Sequence, residues 1–281
     1  MKALRRLLWA GISLLAVFVL VVVTVFSLDM YRRSRAQRLI EDVRALRVAE
    51  SSLADVQKLT EKYGKTPPMV MKFNDELETP ECAPPNCTDF AFEVQSPLTL
   101  GVTNHPAWFG SLGLRAWVVR AGARVEEGRV SSTGAGVFVR RPDGCWLLAT
   151  AMRIKSLERR AETMPDWDES DEHIERGAYY ISGGLFHIDP EHGDVLSAQL
   201  APMASPAAQQ HAFEVNWYCV GTFHGCRELC ELYPKVWADW RGDQLRRGRD
   251  ITPAKGRSCP VPGGACACSG GCEEKSDTGG R

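Results

Sequence analysis

A second long apolar run is missing from this sequence. Residues 7–28 contain no charged side chain, and no run of comparable length follows in the rest of the 281 residues. As an α-helix these twenty-two residues would be about 33 Å long, enough to cross a hydrocarbon core of roughly 30 Å. The sequence therefore predicts that residues 7–28 form a transmembrane helix, and that the chain crosses the lipid bilayer once at most.

A cleavable signal peptide is the alternative interpretation of the same segment. Residues 1–6 form a basic N-terminal tail, and Val25 and Ser27 are small residues of the kind that precede a cleavage site. The apolar run is longer than the roughly 7 to 15 residues of a signal-peptide core, which favours an uncleaved anchor.

A basic surface stripe is also missing. The chain has 34 Lys and Arg against 35 Asp and Glu, a formal net charge of −1, and the basic residues are not clustered into a stripe. Nucleic-acid phosphates demand clustered cations, so we predict no nucleic-acid partner.

Two features disagree about the side of the membrane on which the larger part lies. Arginines directly after the apolar run outnumber the basic residues before it, and a positive-inside count would place that part in the cytosol. All ten cysteines also follow the run, and an even number of cysteines is typical of an oxidising compartment. Because long domains are translocated largely regardless of nearby charge, we predict an extracytoplasmic domain. The arginines concerned are Arg32, Arg33, Arg35 and Arg38.

Recognisable catalytic and cofactor motifs are absent from the sequence. It has no C-x-x-C pair and no serine in a nucleophile elbow, and the STGAG stretch at 132–136 lacks the lysine of a phosphate-binding loop. We interpret that stretch as a hairpin turn. We therefore predict no cofactor and favour a protein that is not an enzyme, with a hydrolase that uses His187 or His192 as a weaker alternative.

His187, Asp189 and His192 are the strongest candidates for metal ligands. In a strand the first two would share a face of the sheet. Pro190 and Gly193 indicate a turn instead, and DPEHGD has ordinary turn composition. The sequence favours a turn over a metal site here.

Eight cysteines are candidates for disulfide bonds. Cys82 and Cys87 flank a tight loop with two prolines and are predicted to pair locally. Cys226 and Cys230 are predicted to tie the C-terminal segment back to the domain, and a metal site built from the same thiols is the alternative. The remaining candidates lie in that segment: Cys259, Cys266, Cys268 and Cys272.

Hydrophobic periodicity predicts helix between residues 29 and 64. Apolar residues return there every three or four positions, which indicates a stalk that leaves the membrane and joins the fold. Ser52 with Asp55 resembles a capping box, and Gly64 is a stop signal, so the segment between them is a well-bounded helix.

From residue 65 the pattern changes to that of strands. Runs such as DFAFEV, GVFVRR, CWLLATA, YYISGGLFHI and HAFEVNWYCV are rich in β-branched and aromatic residues, and PDG at 142–144 predicts a hairpin turn. Cys145 and Cys219 fall in such runs and are expected to be buried small hydrophobes. A closing helix is predicted to begin at Pro234. No long helix interrupts the strands, which predicts a twisted antiparallel sheet.

We therefore predict an α+β fold with five segments. They are a basic N-terminal tail (1–6), a transmembrane helix (7–28), a stalk and domain-capping helix (29–64), an antiparallel-sheet domain packed against helices (65–249), and a disordered tail rich in Cys, Gly and Pro (250–281).

Several features together resemble one family. The basic start, single span, helix ending in KYG, short cysteine loop, FAFEV strand and late GCRELCELYPKVWADW segment are similar to those of bacterial single-span membrane proteins without an assigned function. The resemblance covers residues 1–245. It implies a bacterial inner-membrane anchor with the domain in the periplasm, and it brings no activity, cofactor or catalytic residue.

The expected function follows from these features. They predict a membrane-anchored extracytoplasmic domain that binds or scaffolds an unknown protein or another envelope component. A metal-binding or thiol-redox protein that uses the C-terminal cysteines is the alternative.

Overall fold

The structure, a computed structural model, describes residues 2–66, 86–97, 114–141, 145–154, 179–188, 191–200, 204–222 and 225–246. These residues have an α+β fold with a long apolar N-terminal helix, as predicted. The helices are α1 (Lys2–Ala45), α2 (Leu53–Tyr63), α3 (Pro206–Ala212), α4 (Leu229–Leu232) and α5 (Pro234–Arg246). The strands are β1 (Cys87–Gln95), β2 (Trp117–Glu126), β3 (Arg129–Arg140), β4 (Trp146–Ile154), β5 (Tyr179–Ile188) and β6 (Glu191–Leu200).

Helix α1 changes character along its length. Its first half is apolar and unburied, and within the described residues α1 is the one helix long and apolar enough to cross a membrane. In its second half the apolar residues recur every three or four positions and are buried, among them Ala36, Leu39 and Val43. Asp29, the first residue after the apolar run, is already buried. The predicted stalk is therefore part of the folded domain from its first residue.

Helix α2 has the predicted ends. The Ser52 backbone N–H donates to Asp55 Oδ2 at 3.0 Å, which is half of a capping box. This bond, with further hydrogen bonds from Lys58 and the Ser52 hydroxyl, lowers the pKa of Asp55 to about 2. The helix ends at Gly64, whose φ of 79° is in the region that favours glycine.

The six strands form one mixed sheet in the order β1-β2-β3-β4-β6-β5. Strands β1 to β4 pair antiparallel in succession, and β5 and β6 form an antiparallel hairpin. Strand β6 is parallel to β4, so the prediction of an antiparallel sheet is wrong for this pair. In β6 both Val195 and Leu196 are buried although they point to opposite faces. A strand buried on both faces belongs in the interior of a sheet, which explains why β6 lies between β4 and β5.

The hairpin turn predicted at 132–136 is wrong, because this stretch lies inside β3. A Cβ atom at Gly136 would come within 3.3 Å of Thr150 Cγ2 on β4, so the glycine serves close approach of the two strands. The turn before β3 is made by Glu127 and Gly128, which have positive φ angles of 52° and 78°.

The strand predicted at 211–220 is also wrong. Ser205 Oγ accepts the backbone N–H of Ala208 at 3.1 Å, and Pro206 follows this N-cap, so the chain enters helix α3. The residues after α3 form turns rather than a strand. The alternating aromatic residues are typical of a strand, but the upstream cap and a disulfide decide the local structure.

The main core lies between the helices and one face of the sheet. Leu39 of α1, Trp117 of β2 and Tyr233 before α5 are almost fully buried in it. The opposite face is buried over a row of cross-strand neighbours, which are Val118, Phe138, Leu148 and Val195. Both faces of the sheet therefore contribute to the hydrophobic core.

Candidate functional site

A buried carboxylate marks the point where the apolar part of α1 ends. Asp29 is 4% exposed, and its Oδ1 accepts hydrogen bonds from Trp117 Nε1 at 2.8 Å and Thr222 Oγ1 at 2.6 Å. Its Oδ2 accepts the backbone N–H of Thr222 at 3.2 Å. A buried carboxylate destabilises a protein unless its oxygens are hydrogen-bonded, and three donors meet this need. We name Asp29, Trp117 and Thr222 the docking cluster, because they fix the end of the apolar helix to the domain.

Arginines after the apolar run donate to backbone carbonyls of the domain. Arg32 Nη1 lies 3.3 and 3.2 Å from two carbonyl oxygens at and just after the end of β1. Arg33 Nη1 lies 3.3 Å from Trp217 O, and Arg35 Nη2 lies 3.0 Å from Lys62 O. These three arginines therefore hold α1 against the domain in addition to carrying charge.

A disulfide closes the loop that supplies Thr222. Cys219 and Cys226 are bonded, with their Cα atoms 4.8 Å apart, and we name the segment between them the disulfide loop. The backbone N–H of Arg115 donates to Thr222 O at 2.7 Å, and the Arg115 side chain crosses the place where Gly225 lacks a Cβ atom. The loop is thus held from within by the disulfide and from outside by the start of β2.

The pairing of Cys226 differs from the prediction. We expected Cys226 to bond to the C-terminal segment and Cys219 to stay a reduced hydrophobe, and both expectations are wrong because the turns after α3 bring these two residues together. Cys145 is a buried thiol, as expected. Cys87 is disulfide-bonded. The other candidates lie outside the described residues: Cys82, Cys259, Cys266, Cys268 and Cys272.

Cys230 is a thiol in an acidic environment. Its Sγ donates to Glu228 Oε2 at 3.4 Å. Burial raises the pKa of Cys230, and the hydrogen bond to Glu228 with the charges of Glu228 and Glu231 raises it further. The thiolate is the form that attacks disulfides and binds metals, so Cys230 is held in its unreactive form at neutral pH.

Two of the three predicted metal ligands come together in the sheet. His187 of β5 and His192 of β6 are directly opposite in register, because pairing continues to Ile188 and Glu191 at the tip of the hairpin. The turn predicted at 189–194 is therefore wrong for residues 191–194, which lie in β6. Asp189 lies outside the described residues, and within them no group of three or more His, Cys, Asp or Glu side chains is arranged to hold a metal ion.

A buried arginine lies at the other end of α1. Arg153 of β4 is 4% exposed, and its guanidinium donates to Arg44 O at 3.1 Å, to Gln209 Oε1 at 2.9 Å and to Leu46 O. Burial lowers the pKa of Arg153. The last carbonyls of a helix lack partners within the helix, and a cation there complements the helix dipole. Arg153 therefore caps the C-terminus of α1.

A second carboxylate of α1 joins it to α2. Asp42 Oδ2 accepts hydrogen bonds from Lys62 Nζ and Tyr63 OH, each at 2.7 Å. Burial raises the pKa of Asp42, but the hydrogen bonds from Lys62 and Tyr63, with the charges of Lys62 and Arg38, outweigh this effect and lower it overall. With the docking cluster and Arg153, this contact makes three polar attachments along one helix.

Sequence reasoning missed the residues of these attachments. A lone acidic residue directly after an apolar run was an available signal for Asp29. Arg153 shares strand parity with the buried Ala149 and Ala151, which would have placed it on the core side. Thr222 has no local signal, since it lies 193 positions from Asp29 in the chain.

Comparisons with known proteins found no matching family model, no matching curated protein and no matching solved structure. The chemistry of the site must therefore be argued from its geometry. The docking cluster is a set of mutually satisfied donors and acceptors, which is suited to holding elements together. A cavity of about 10 Å³ in the main core, lined mostly by apolar residues but also by Thr150 and Tyr233, has room for about one water molecule and not for an organic ligand.

Proposed function

We propose that this protein is a single-pass membrane protein whose extracytoplasmic domain binds or scaffolds another envelope component. The observation that carries the proposal is the docking cluster. A simple tether needs only a flexible linker, whereas here Asp29 fixes the domain to the helix at the residue where the apolar run ends. Such a connection suits a domain that must be presented at a set position above the membrane.

The cysteines support an extracytoplasmic position of the domain. The Cys219–Cys226 disulfide lies within the described domain, and disulfides persist mainly in oxidising compartments such as the bacterial periplasm. In a bacterium this domain would face the periplasm from an inner-membrane anchor.

The contacts of the arginines also support this orientation. A positive-inside count treats Arg32, Arg33 and Arg35 as topology signals, and this count opposes an extracytoplasmic domain. All three side chains donate to domain carbonyls, so the fold itself gives a reason for their presence beside the apolar run. The positive-inside count is therefore a weaker argument against an extracytoplasmic domain.

A metal-binding or thiol-redox function of the C-terminal cysteines remains the alternative. Those cysteines lie outside the described residues, and Cys230, which we expected to join them, is a protonated thiol. No contact in the described part of the chain favours this alternative.

A topology experiment tests the proposal. A reporter that is active only in the periplasm should be active when fused after Arg281, and inactive when fused before Met1. The full chain should also stay with the membrane after alkaline carbonate extraction. Activity of a cytosolic reporter after Arg281, or release of the chain by carbonate, would contradict the proposal.

A further inference from the structure

One aromatic side chain stands out on the surface of the domain. Among the residues whose side chains the structure describes, Tyr218 is the one exposed large hydrophobic residue outside α1, and it is 76% exposed. The others of this kind in that set belong to the first part of α1, between Leu8 and Tyr31. Beyond α1, the side chains that the structure describes therefore present one well-exposed aromatic ring, that of Tyr218.

That place is at the end of the apolar helix. The carbonyl of the preceding residue, Trp217, accepts a hydrogen bond from Arg33, which is one helical turn beyond Asp29. Thr222, four residues after Tyr218, donates to Asp29 itself. Tyr218 is thus bracketed by two contacts to the first turn of α1 after the apolar run.

The backbone that carries Tyr218 is held in place. Its N–H donates to Asn216 Oδ1 at 3.2 Å, and the side chain of Asn216 donates to Glu231 O at 3.0 Å. The next residue, Cys219, is fixed by the disulfide. A ring displayed from a fixed backbone loses little freedom when it is buried against a second surface.

We propose that Tyr218 inserts into the interfacial region of the bilayer beside α1, so that the lipid headgroup layer is the partner of this end of the domain. The inference rests on the proposed membrane anchor. Tyrosine suits this layer because its ring contacts the upper acyl chains while its hydroxyl stays among the polar headgroups. Tyr31, which is 58% exposed on α1 two residues after Asp29, is a second exposed tyrosine just beyond the apolar run. The domain is therefore supported on the membrane at a second point besides its span.

A probe at Tyr218 and a matched probe at the far end of the sheet test this contact. Glu126 is exposed and ends β2, a strand of ten residues that begins at Trp117 in the docking cluster. At about 3.3 Å per residue, Glu126 lies roughly 30 Å from that cluster. Trifluoromethylphenylalanine is placed at position 218 in one full-length protein and at 126 in another, each in phosphatidylcholine nanodiscs. The ¹⁹F spectra are recorded with and without a lipid that is spin-labelled near its headgroup.

The signal from position 218 should be lost to broadening in the presence of the spin-labelled lipid, while the signal from position 126 should be unchanged. A sharp signal at 218 would overturn the inference and leave Tyr218 available to a protein partner instead. Equal broadening at both positions would also overturn it, because the domain would then lie flat on the bilayer. Equal melting midpoints of the two proteins show that both are folded.

A second measurement uses natural side chains. Amide hydrogen exchange of residues 216–222 should be slower in nanodiscs than in detergent for the unmodified protein, and Tyr218→Ser should remove this difference whereas Tyr218→Trp should keep it. Retention of the difference in Tyr218→Ser would contradict the inference. If the chain does not remain in the nanodisc at all, the membrane anchor fails, which is a different outcome from a stable nanodisc complex with a sharp signal at 218.

Discussion

At the scale of single residues, the structure depends on buried charged groups that act as caps and anchors. Arg153 donates to the carbonyls at the end of α1 and to the side-chain oxygen of Gln209. Asp29 accepts hydrogen bonds from neutral donors, those of Trp117 and Thr222. A buried charged group without its hydrogen-bond partners destabilises the fold. The partners of Asp29 and Arg153 are therefore held in one arrangement around each side chain.

Replacing Arg153 should destabilise the domain strongly. Arg153→Met keeps much of the apolar stem but leaves the carbonyls of Arg44 and Leu46 buried without a donor, at an expected loss of about 2 to 4 kcal/mol in the free energy of unfolding. The measurement is denaturant unfolding in detergent, monitored by near-UV circular dichroism.

Arg129→Met is the matched control for this prediction. Arg129 also donates to a backbone carbonyl, that of Glu50 at 2.7 Å, but it is exposed. Water can replace this hydrogen bond, so the expected loss is about 0.5 kcal/mol or less. Equal losses in the two variants would show that burial of Arg153 does not matter.

At the scale of elements, α1 joins an unburied apolar half, long enough to cross a membrane, to a half that packs in the domain core. Its buried residues, such as Leu39 and Val43, pack in the main core, and the buried half of the helix is fixed by Asp29 at its start and by Arg153 at its end. Asp42, three residues before the end of α1, joins the helix to α2. Because α1 is attached to the domain through these three residues, the loss of one attachment should weaken the packing of the helix without detaching it.

Removing the carboxylate of Asp29 should weaken this attachment more than removing that of Asp42. Asp29→Ala leaves Trp117 Nε1 and Thr222 without their buried acceptor, and we expect a loss of about 2 to 4 kcal/mol in the free energy of unfolding. Asp42→Ala removes a carboxylate from the same helix that also has two partner residues, but its side chain is 31% exposed, so about 1 kcal/mol is expected. Guanidinium unfolding of both variants in the same detergent makes the comparison. A larger loss for Asp42→Ala would contradict the central role of the docking cluster.

The elements that the sequence predicted are those with strong local signals. The Ser52 cap and Gly64 stop bound α2, Pro234 begins α5, and β1 to β4 follow runs of β-branched and aromatic residues. The parallel pairing of β6 with β4 was not predictable, because it depends on burial of both faces of β6 within the assembled sheet. The docking cluster joins residues far apart in the chain, and only the fold brings them together.

At the scale of the whole molecule, α5 is the last described element, and it contributes Val236 to the main core. The Cys219–Cys226 disulfide belongs to this domain and lies beside the docking cluster. The integrity of the domain around the docking cluster is therefore tied to the redox state of the Cys219–Cys226 bond.

Reduction should lower the melting temperature of the full chain, and a chelator should not. Opening the loop between Cys219 and Cys226, which are seven positions apart, is expected to destabilise the domain by roughly 2 to 3 kcal/mol on the loop-entropy estimate. Differential scanning fluorimetry in detergent measures both treatments. A paired Cys219→Ser and Cys226→Ser variant should melt below the unmodified protein and show less response to reductant, because the disulfide of Cys87 is still present in it.

A variant with the four C-terminal cysteines replaced by serine is the control, and it should respond to reductant as the unmodified chain does. A chelator-sensitive transition, or loss of the reductant effect in this control variant, would favour the metal or thiol function of the C-terminal segment instead.

The unbroken path of α1 from Lys2 to Ala45 has a consequence for encounters with a partner. A domain on a flexible linker tumbles, and a partner must stop that motion when it binds, which weakens association. In the proposed single-pass arrangement, α1 already sets the tilt of the sheet relative to the bilayer. A partner that diffuses in the same bilayer would always meet the domain at the same height and tilt, and the search for the bound arrangement is reduced to movement in the plane and rotation about one axis.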